Sequence, residues 1–238
     1  MSRASPWSAT VLTLFPEMFP GPLGLSLLGK ALQKDLWSLE VRDIREHGIG
    51  KHRTVDDTPA GGGPGMVMRA DIACAAVDAA RSAYGAERPA IYLSPRGKPL
   101  TQARVRELAA GSGVLLLCGR FEGLDERAIE ARGLEEISIG DFVLAGGEIA
   151  AMALIEAAVR LIPGVLGAEA SSAEESFSEN LLEYPQFTRP QSFEGRDIPA
   201  VLTGGNHKEI ARWRKARAEA LTSARRPDLW ALYEKAKH

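Results

Sequence analysis

The stretch that most constrains the fold of this chain is Leu117–Glu148, LCGRFEGLDERAIEARGLEEISIGDFVLAGGE. It reads as strand, glycine-bracketed turn, short helix, strand, and a second glycine-bracketed turn. Gly119, Gly123, Gly140, Gly146 and Gly147 fall where strands should end. Glycine there permits positive φ and lets a backbone approach a ligand closely. In an open α/β sheet ligands bind beyond the carboxyl ends of the strands. Two such turns, about twenty residues apart, predict two walls of one pocket. Neither turn carries a phosphate-binding signature, and apolar residues flank the glycines. That suits a flat or apolar ligand held by backbone groups. The same glycines also suit ordinary βα turns.

Around this stretch the pattern alternates. Val11–Phe15 reads as a buried strand ended by Pro16, Leu23–Gln33 as a helix, and Leu36–Asp43 as a strand. Residues 44–68 form a long loop, basic at first and then acidic, with a glycine run at 61–65. A loop of that length is usually functional or disordered. Further helices are predicted at Asp71–Tyr84 (Asp71 capping), Thr101–Ala110 (Thr101 capping) and Glu148–Ile162. Strands are predicted at Ala90–Ser94, Val114–Cys118 and Ile137–Ile139. The wholly apolar Val114–Cys118 is the mark of a strand covered on both faces. Strand–helix alternation implies an α/β fold with a parallel sheet and helices on both faces.

Met1–Ser8 reads as a loose extension. Met1–Ala9 lacks a basic region followed by an apolar core, and no apolar run approaches the ~20 residues of a membrane helix. The expectation is a cytoplasmic protein. Cys74 and Cys118 are the two cysteines, and they form no zinc pattern with the four histidines; both read as reduced core residues.

Net charge is −2, but the charges are segregated. Between Leu161 and Thr188 there is no Lys or Arg, while Glu169, Glu174, Glu175, Glu179 and Glu183 appear. Residues 167–182 read as a flexible acidic linker. Asn206 opens a helix with Glu209 three residues on, a capping-box-like start. That helix carries Lys208, Arg212, Arg214 and Lys215, which suit contact with a nucleic-acid backbone or a solvated basic face. A last helix fits Asp228–Ala236. The predicted organisation is an α/β domain over 1–166, the linker over 167–182, and a small helical domain over 183–238 that is too small for a robust core of its own.

Several motifs resemble the bacterial tRNA (guanine-N1)-methyltransferase family. They are LTLFPEMF (12–19), HRTVDDTPAGGGPGM (52–66), YLSPRGKPL (92–100), GRFEGLDER (119–127), SIGDFVLAGGE (138–148), RLIPGVLG (160–167), EESF (174–177), YPQFTRP (184–190) and GNHKEIARWR (205–214). The resemblance spans nearly the whole chain in one order. It implies a SPOUT methyltransferase whose α/β domain ends in a C-terminal trefoil knot, which general topology rules would not predict. It implies S-adenosylmethionine as cofactor, tRNA as substrate, methylation of N1 of the guanosine at position 37 beside the anticodon, and a homodimer with an active site shared between subunits. It leaves room for a magnesium dependence, although no metal cluster is visible in the sequence.

Carried over by position, the cofactor residues are Tyr92, Leu93, Ser94 and Pro95 on a first turn, and Gly119 on a second. Ile139, Gly140, Asp141, Phe142, Val143, Leu144, Gly146 and Gly147 lie on a third. Glu122 is grouped with them, with orienting the substrate or capping a turn as its other readings. Arg53, Asp56 and Gly65 are expected to help hold the target guanine. Because N1 of guanine is protonated at neutral pH, a base must remove that proton while a cation meets the charge that builds on O6. The family uses an aspartate and an arginine. The arginine corresponds to Arg160, but the base position holds Glu175, one methylene longer. Other readings are a SPOUT enzyme with another RNA target, or a non-catalytic RNA-binding dimer that keeps the fold.

Overall fold

The computed structural model describes residues 6–84, 87–166, 175–177 and 179–237. The chain divides into two compact units, Met1–Gly167 and Ala168–His238.

The first unit is built on five parallel strands: β1 (Trp7–Thr13), β2 (Trp37–Asp43), β5 (Ala90–Pro99), β6 (Gly113–Cys118) and β7 (Glu135–Ser138). Their order is β2-β1-β6-β5-β7, and every pairing is parallel. Two short strands, β3 (Asp56–Asp57) and β4 (Val67–Met68), form a separate antiparallel ribbon. The helices are α1 (Ser26–Gln33), α2 (Ala70–Tyr84), α3 (Gln102–Ala110), α4 (Glu126–Arg132) and α5 (Glu148–Val159).

Strand residues alternate between two cores, as the period of a pleated strand requires. From β6, Val114, Leu116 and Cys118 join one cluster with Ala31 of α1, Val105 and Leu108 of α3, and Ala151, Ile155 and Val159 of α5. Leu115 and Leu117 join the other, with Ile72, Ala76 and Val77 of α2 and Ala128 and Ile129 of α4. The sheet is therefore covered on both faces, as the sequence predicts. Each fully buried Leu contributes roughly 1.5–3 kcal/mol of transfer free energy.

Helix boundaries follow local chemistry. Thr101 caps α3 by accepting the Arg104 amide, and Asp125 caps α4 by accepting that of Arg127. Gly133 ends α4 in the left-handed conformation, φ 56°. Three expectations are corrected. Strand β1 begins at Trp7, four residues early, because Trp7 is buried and its Nε1 donates to Leu108 O at 2.9 Å. Helix α1 starts at Ser26 after a 3-10 turn over Gly21–Gly24, not at Leu23. Asp71 lies inside α2, where it pairs with Arg69 at 2.8 Å and does not cap the helix.

The long loop is pinned rather than loose. It opens with a 3-10 turn at Ile44–His47, closes a bridge between Ile49 and Thr54, and returns through β3 and β4.

The second unit contains the ribbon β8 (Ser192–Phe193) and β9 (Arg196–Asp197), the short α6 (Ala200–Thr203), α7 (His207–Arg225) and α8 (Pro227–Ala236). Asn206 caps α7, its side chain accepting from the amides of Lys208 and Glu209. Much of the expected linker lies outside the described residues. Its far end is tied down: the Leu182 amide donates to Thr222 Oγ1 at 2.8 Å, and the Glu183 amide to Ser176 Oγ at 3.0 Å.

Candidate active site

Strand β7 pairs with β5, on the far side from β6, so the chain leaving β6 crosses past β5 before re-entering the sheet. After β7 it comes back: the Gly147 amide donates to Gly119 O at 2.9 Å, which seats the start of α5 against the end of β6. The carboxyl ends of β5, β6 and β7 thus converge on one cleft of about 380 Å³. Such a reversal of strand order is where open α/β sheets place ligands.

The first wall is Tyr92–Arg96 at the end of β5. There the register with β7 shifts between Leu93 and Lys98, pushing Ser94–Gly97 out of the ladder. The Ser94 hydroxyl accepts the Arg96 amide at 3.2 Å. The Tyr92 ring lies in the core beneath the second wall. Its burial pushes the phenol pKa up, offset in part by a hydrogen bond with the Leu124 backbone.

The second wall is the turn Gly119–Leu124. A Cβ on Gly119 would stand 2.7 Å from the Tyr92 ring, so only glycine fits. Phe121 takes φ 59° and remains half exposed at the cleft. The third wall runs from Ile137 to Gly147. The Ser138 hydroxyl braces its turn, donating to Gly140 O at 3.0 Å and accepting the Gly140 amide at 3.2 Å. Gly140 has φ 151°, and a Cβ on Gly147 would meet Cys118 Cα at 2.8 Å. Phe142, Val143 and Leu144 are exposed, apolar and face the cleft.

The structure gathers most of the expected cofactor residues. Tyr92, Leu93, Ser94, Pro95, Gly119, Glu122, Ile139, Gly140, Phe142, Val143, Leu144, Gly146 and Gly147 all line the cleft. Asp141 lies on the third wall but does not line it. The volume is in the range of small-molecule sites. Its wall of glycines and apolar side chains fits a flat nucleoside read by backbone groups.

The long loop reaches the same place. The Glu122 amide donates to Met66 O at 2.9 Å and the Met68 amide to Gly123 O at 2.8 Å. Gly65, at φ 82°, lies against the Glu122 carboxylate, which a Cβ there would strike. Asp56 sits in β3, paired with Met68. Arg53, at φ 48°, is on the exposed turn between Ile49 and Thr54 and does not line the cleft.

Arg160 caps the far end of α5. Twelve helical residues separate it from the third wall, about 18 Å at 1.5 Å per residue. Glu175 belongs to the second unit and is partly exposed. On α7, Lys208, Arg212 and Lys215 are exposed. Arg214 is not: it is half buried, with its guanidinium 4.8 Å over the Tyr184 ring.

Two residues of the site escaped the sequence reading. Arg120 lines the cleft, and Glu148 is buried behind it with 1% exposure. The signal for Glu148 was a single carboxylate opening an otherwise apolar stretch, IAAMALI. Among the described residues no group of three or more His, Cys, Asp and Glu could hold a metal ion, and no helix is long and apolar enough to cross a membrane.

The family described as tRNA (Guanine-1)-methyltransferase TrmD matches residues 8–232. A tRNA (guanine-N(1)-)-methyltransferase of Bradyrhizobium diazoefficiens is 68% identical over 233 residues, covering 97% of this chain and 91% of the relative. One from Rhodopseudomonas palustris strain HaA2 is 69% identical over 225 residues, 94% of this chain and 88% of the relative. One from Mesorhizobium japonicum is 64% identical over 231 residues, 97% of this chain and 99% of the relative. A glycine-walled cleft at a reversal of strand order, with matches of this length and identity, places the chain in the tRNA (guanine-1)-methyltransferase TrmD family.

Proposed function

We propose that this protein transfers a methyl group from S-adenosylmethionine to N1 of the guanosine at tRNA position 37, beside the anticodon. The observation that carries the reading is the cleft at the ends of β5, β6 and β7, with glycines where a Cβ would close it.

S-adenosylmethionine, bound in that cleft, supplies an electrophilic methyl group. Backbone groups of the three walls hold its flat base, and Phe142, Val143 and Leu144 shield it from water. Glu175 accepts the N1 proton of the target guanine, and the Arg160 guanidinium meets the charge developing on O6. Gly65 and Glu122, brought together beside the cleft, help position the flipped base. Arg53 and Asp56 contribute from the adjoining loop. Lys208, Arg212 and Lys215 on α7 contact tRNA phosphates, which fix register without reading sequence.

Residues 1–166 are read as a cofactor domain that ends in a trefoil knot, 167–182 as a linker, and 183–238 as a helical tRNA-binding domain. The return of the chain from β7 to the end of β6 supports the knot. The protein acts in the cytoplasm as a homodimer whose sites are shared between subunits. A magnesium requirement is tested by titrating activity against magnesium and a chelator.

The deciding experiment is methyl transfer from labelled S-adenosylmethionine to tRNA transcripts with guanine or adenine at position 37. Transfer that requires guanine there is expected. Transfer to both, or to neither, would overturn the assignment.

A further inference from the structure

Three segments distant in sequence meet at one buried carboxylate. Glu148, the first residue of α5, accepts the Thr13 hydroxyl at 2.7 Å and Arg120 Nε at 3.1 Å, both on Oε1. Arg120 Nη2 lies 3.0 Å from Oε2. Among the described residues no aligned hydrogen bond reaches Oε2, so that contact is one of charge with charge. Thr13 Oγ1 also accepts the Phe15 amide at 3.0 Å, and the Arg120 guanidinium lies 4.2 Å over the Phe15 ring. From there Arg120 reaches across the cleft wall, with Nη1 3.4 Å from Ala145 O. Its side chain lies so close over Gly146 that a Cβ there would run into it.

A carboxylate near a helix N-terminus is stabilised without being buried. Burying it with a guanidinium adds little stability over an apolar pair, while removing one partner is costly. The geometric effect of the pair is to tie the second wall, through Arg120, to the third wall at Ala145–Gly146 and to the start of α5.

We propose that Arg120 and Glu148 form a strut that sets the spacing of the second and third walls, with Glu148 a positioning residue acting through Arg120. The part of this that concerns the cofactor rests on the function proposed above. A fixed spacing preorganises the backbone groups of both walls, so less ordering is left to ligand binding.

The test uses the full-length protein and two variants. Glu148→Gln keeps an acceptor for Thr13 but removes the charge, and leaves an Arg120 that solvent can reach. Arg120→Lys keeps the charge and loses the fork. Hydrogen exchange without ligand is expected to speed up at residues 119–123 and 139–147 in both variants, while β1 and β6 stay protected. The KM for S-adenosylmethionine is then expected to rise about 10- to 100-fold, by analogy with outer-shell contacts that orient metal ligands, with the KM for tRNA unchanged. Combined in one chain, the two changes should cost no more than the worse of them alone, because they break one contact.

Unchanged exchange in the two walls would overturn the strut. So would faster exchange throughout the sheet, which would mark an ordinary stability contact. Local loosening with an unchanged KM would overturn its role in binding. Failure of the unmodified protein to bind S-adenosylmethionine would instead overturn the cofactor reading, and the exchange result would still decide the strut.

Discussion

Glu175 is the residue on which the proposed chemistry turns. Where the resemblance implies an aspartate, this chain has a carboxylate one methylene longer, and a misplacement of about 1 Å can cost about 10²-fold in rate. The pKa ranges of Asp and Glu overlap, so the proton transfer itself is open to both. A Glu175→Gln variant is expected to lose about 10²–10⁴-fold in kcat, the size of a general-base contribution. Its affinity for S-adenosylmethionine, measured by calorimetry, should be unchanged. Equal turnover in the variant would remove Glu175 from the mechanism. At this scale the sequence is legible where a residue acts through its own backbone. Gly119 and Gly140 follow strand ends that a pattern can locate, whereas Gly147, expected at a strand end, opens α5 instead. It is least legible where a residue acts through a distant partner. The burial of Glu148 depends on Thr13, 135 positions earlier, and on Arg120, 28 positions earlier. Asp141 shows a different limit of position: it shares a loop with cleft residues without lining the cleft itself.

Elements were readable because their ends are local chemistry. Thr101, Asp125 and Asn206 each precede a helix and each accept an amide from its first turn. Asp71 was misread as a cap because an aspartate near a helix start fits two roles; Arg69 decides between them by pairing with it. The early start of β1 was missed because Trp7 is buried by a hydrogen bond to α3, 101 positions away. The cap on α7 has a measurable consequence. Asn206 serves two amides, at 3.2 and 3.4 Å, on a 19-residue helix that buries Ala218 and Thr222. Asn206→Ala is expected to destabilise this helix by about 1 kcal/mol. In an Asn206→Gly variant the loss should be only a few tenths. Chemical denaturation followed by circular dichroism would check both. Equal losses for Ala and Gly would mean that the side-chain cap is not what holds this end.

At the scale of the whole molecule, helix α5 separates two groups that the proposed reaction brings together. Its first turn closes the cleft proposed for the cofactor, and Arg160 stands at its other end, about 18 Å away by helical rise. The proposed sharing of sites between subunits would resolve this, because a second copy could bring its Arg160 and Glu175 to the first copy's cleft. Sequence patterns give the order of the elements along the chain, but not which strand lies beside which. The β2-β1-β6-β5-β7 order became readable only in the structure, whereas the strand-end glycines already pointed to a pocket. The shared site can be tested by mixing two inactive chains. One carries Gly140→Val, which spoils the third wall where a Cβ would strike Phe142. The other carries Glu175→Gln. Co-expressed with different tags in equal amounts, they should assemble at random, with half of the dimers mixed. Each mixed dimer then has one intact site of two, made from the cleft of one chain and Glu175 of the other. The pool should recover about a quarter of the unmodified activity. Doubly tagged dimers, isolated alone, should recover about half. If every site were built within a single chain, neither preparation would exceed the background of its two parents, and the shared-site arrangement would be wrong.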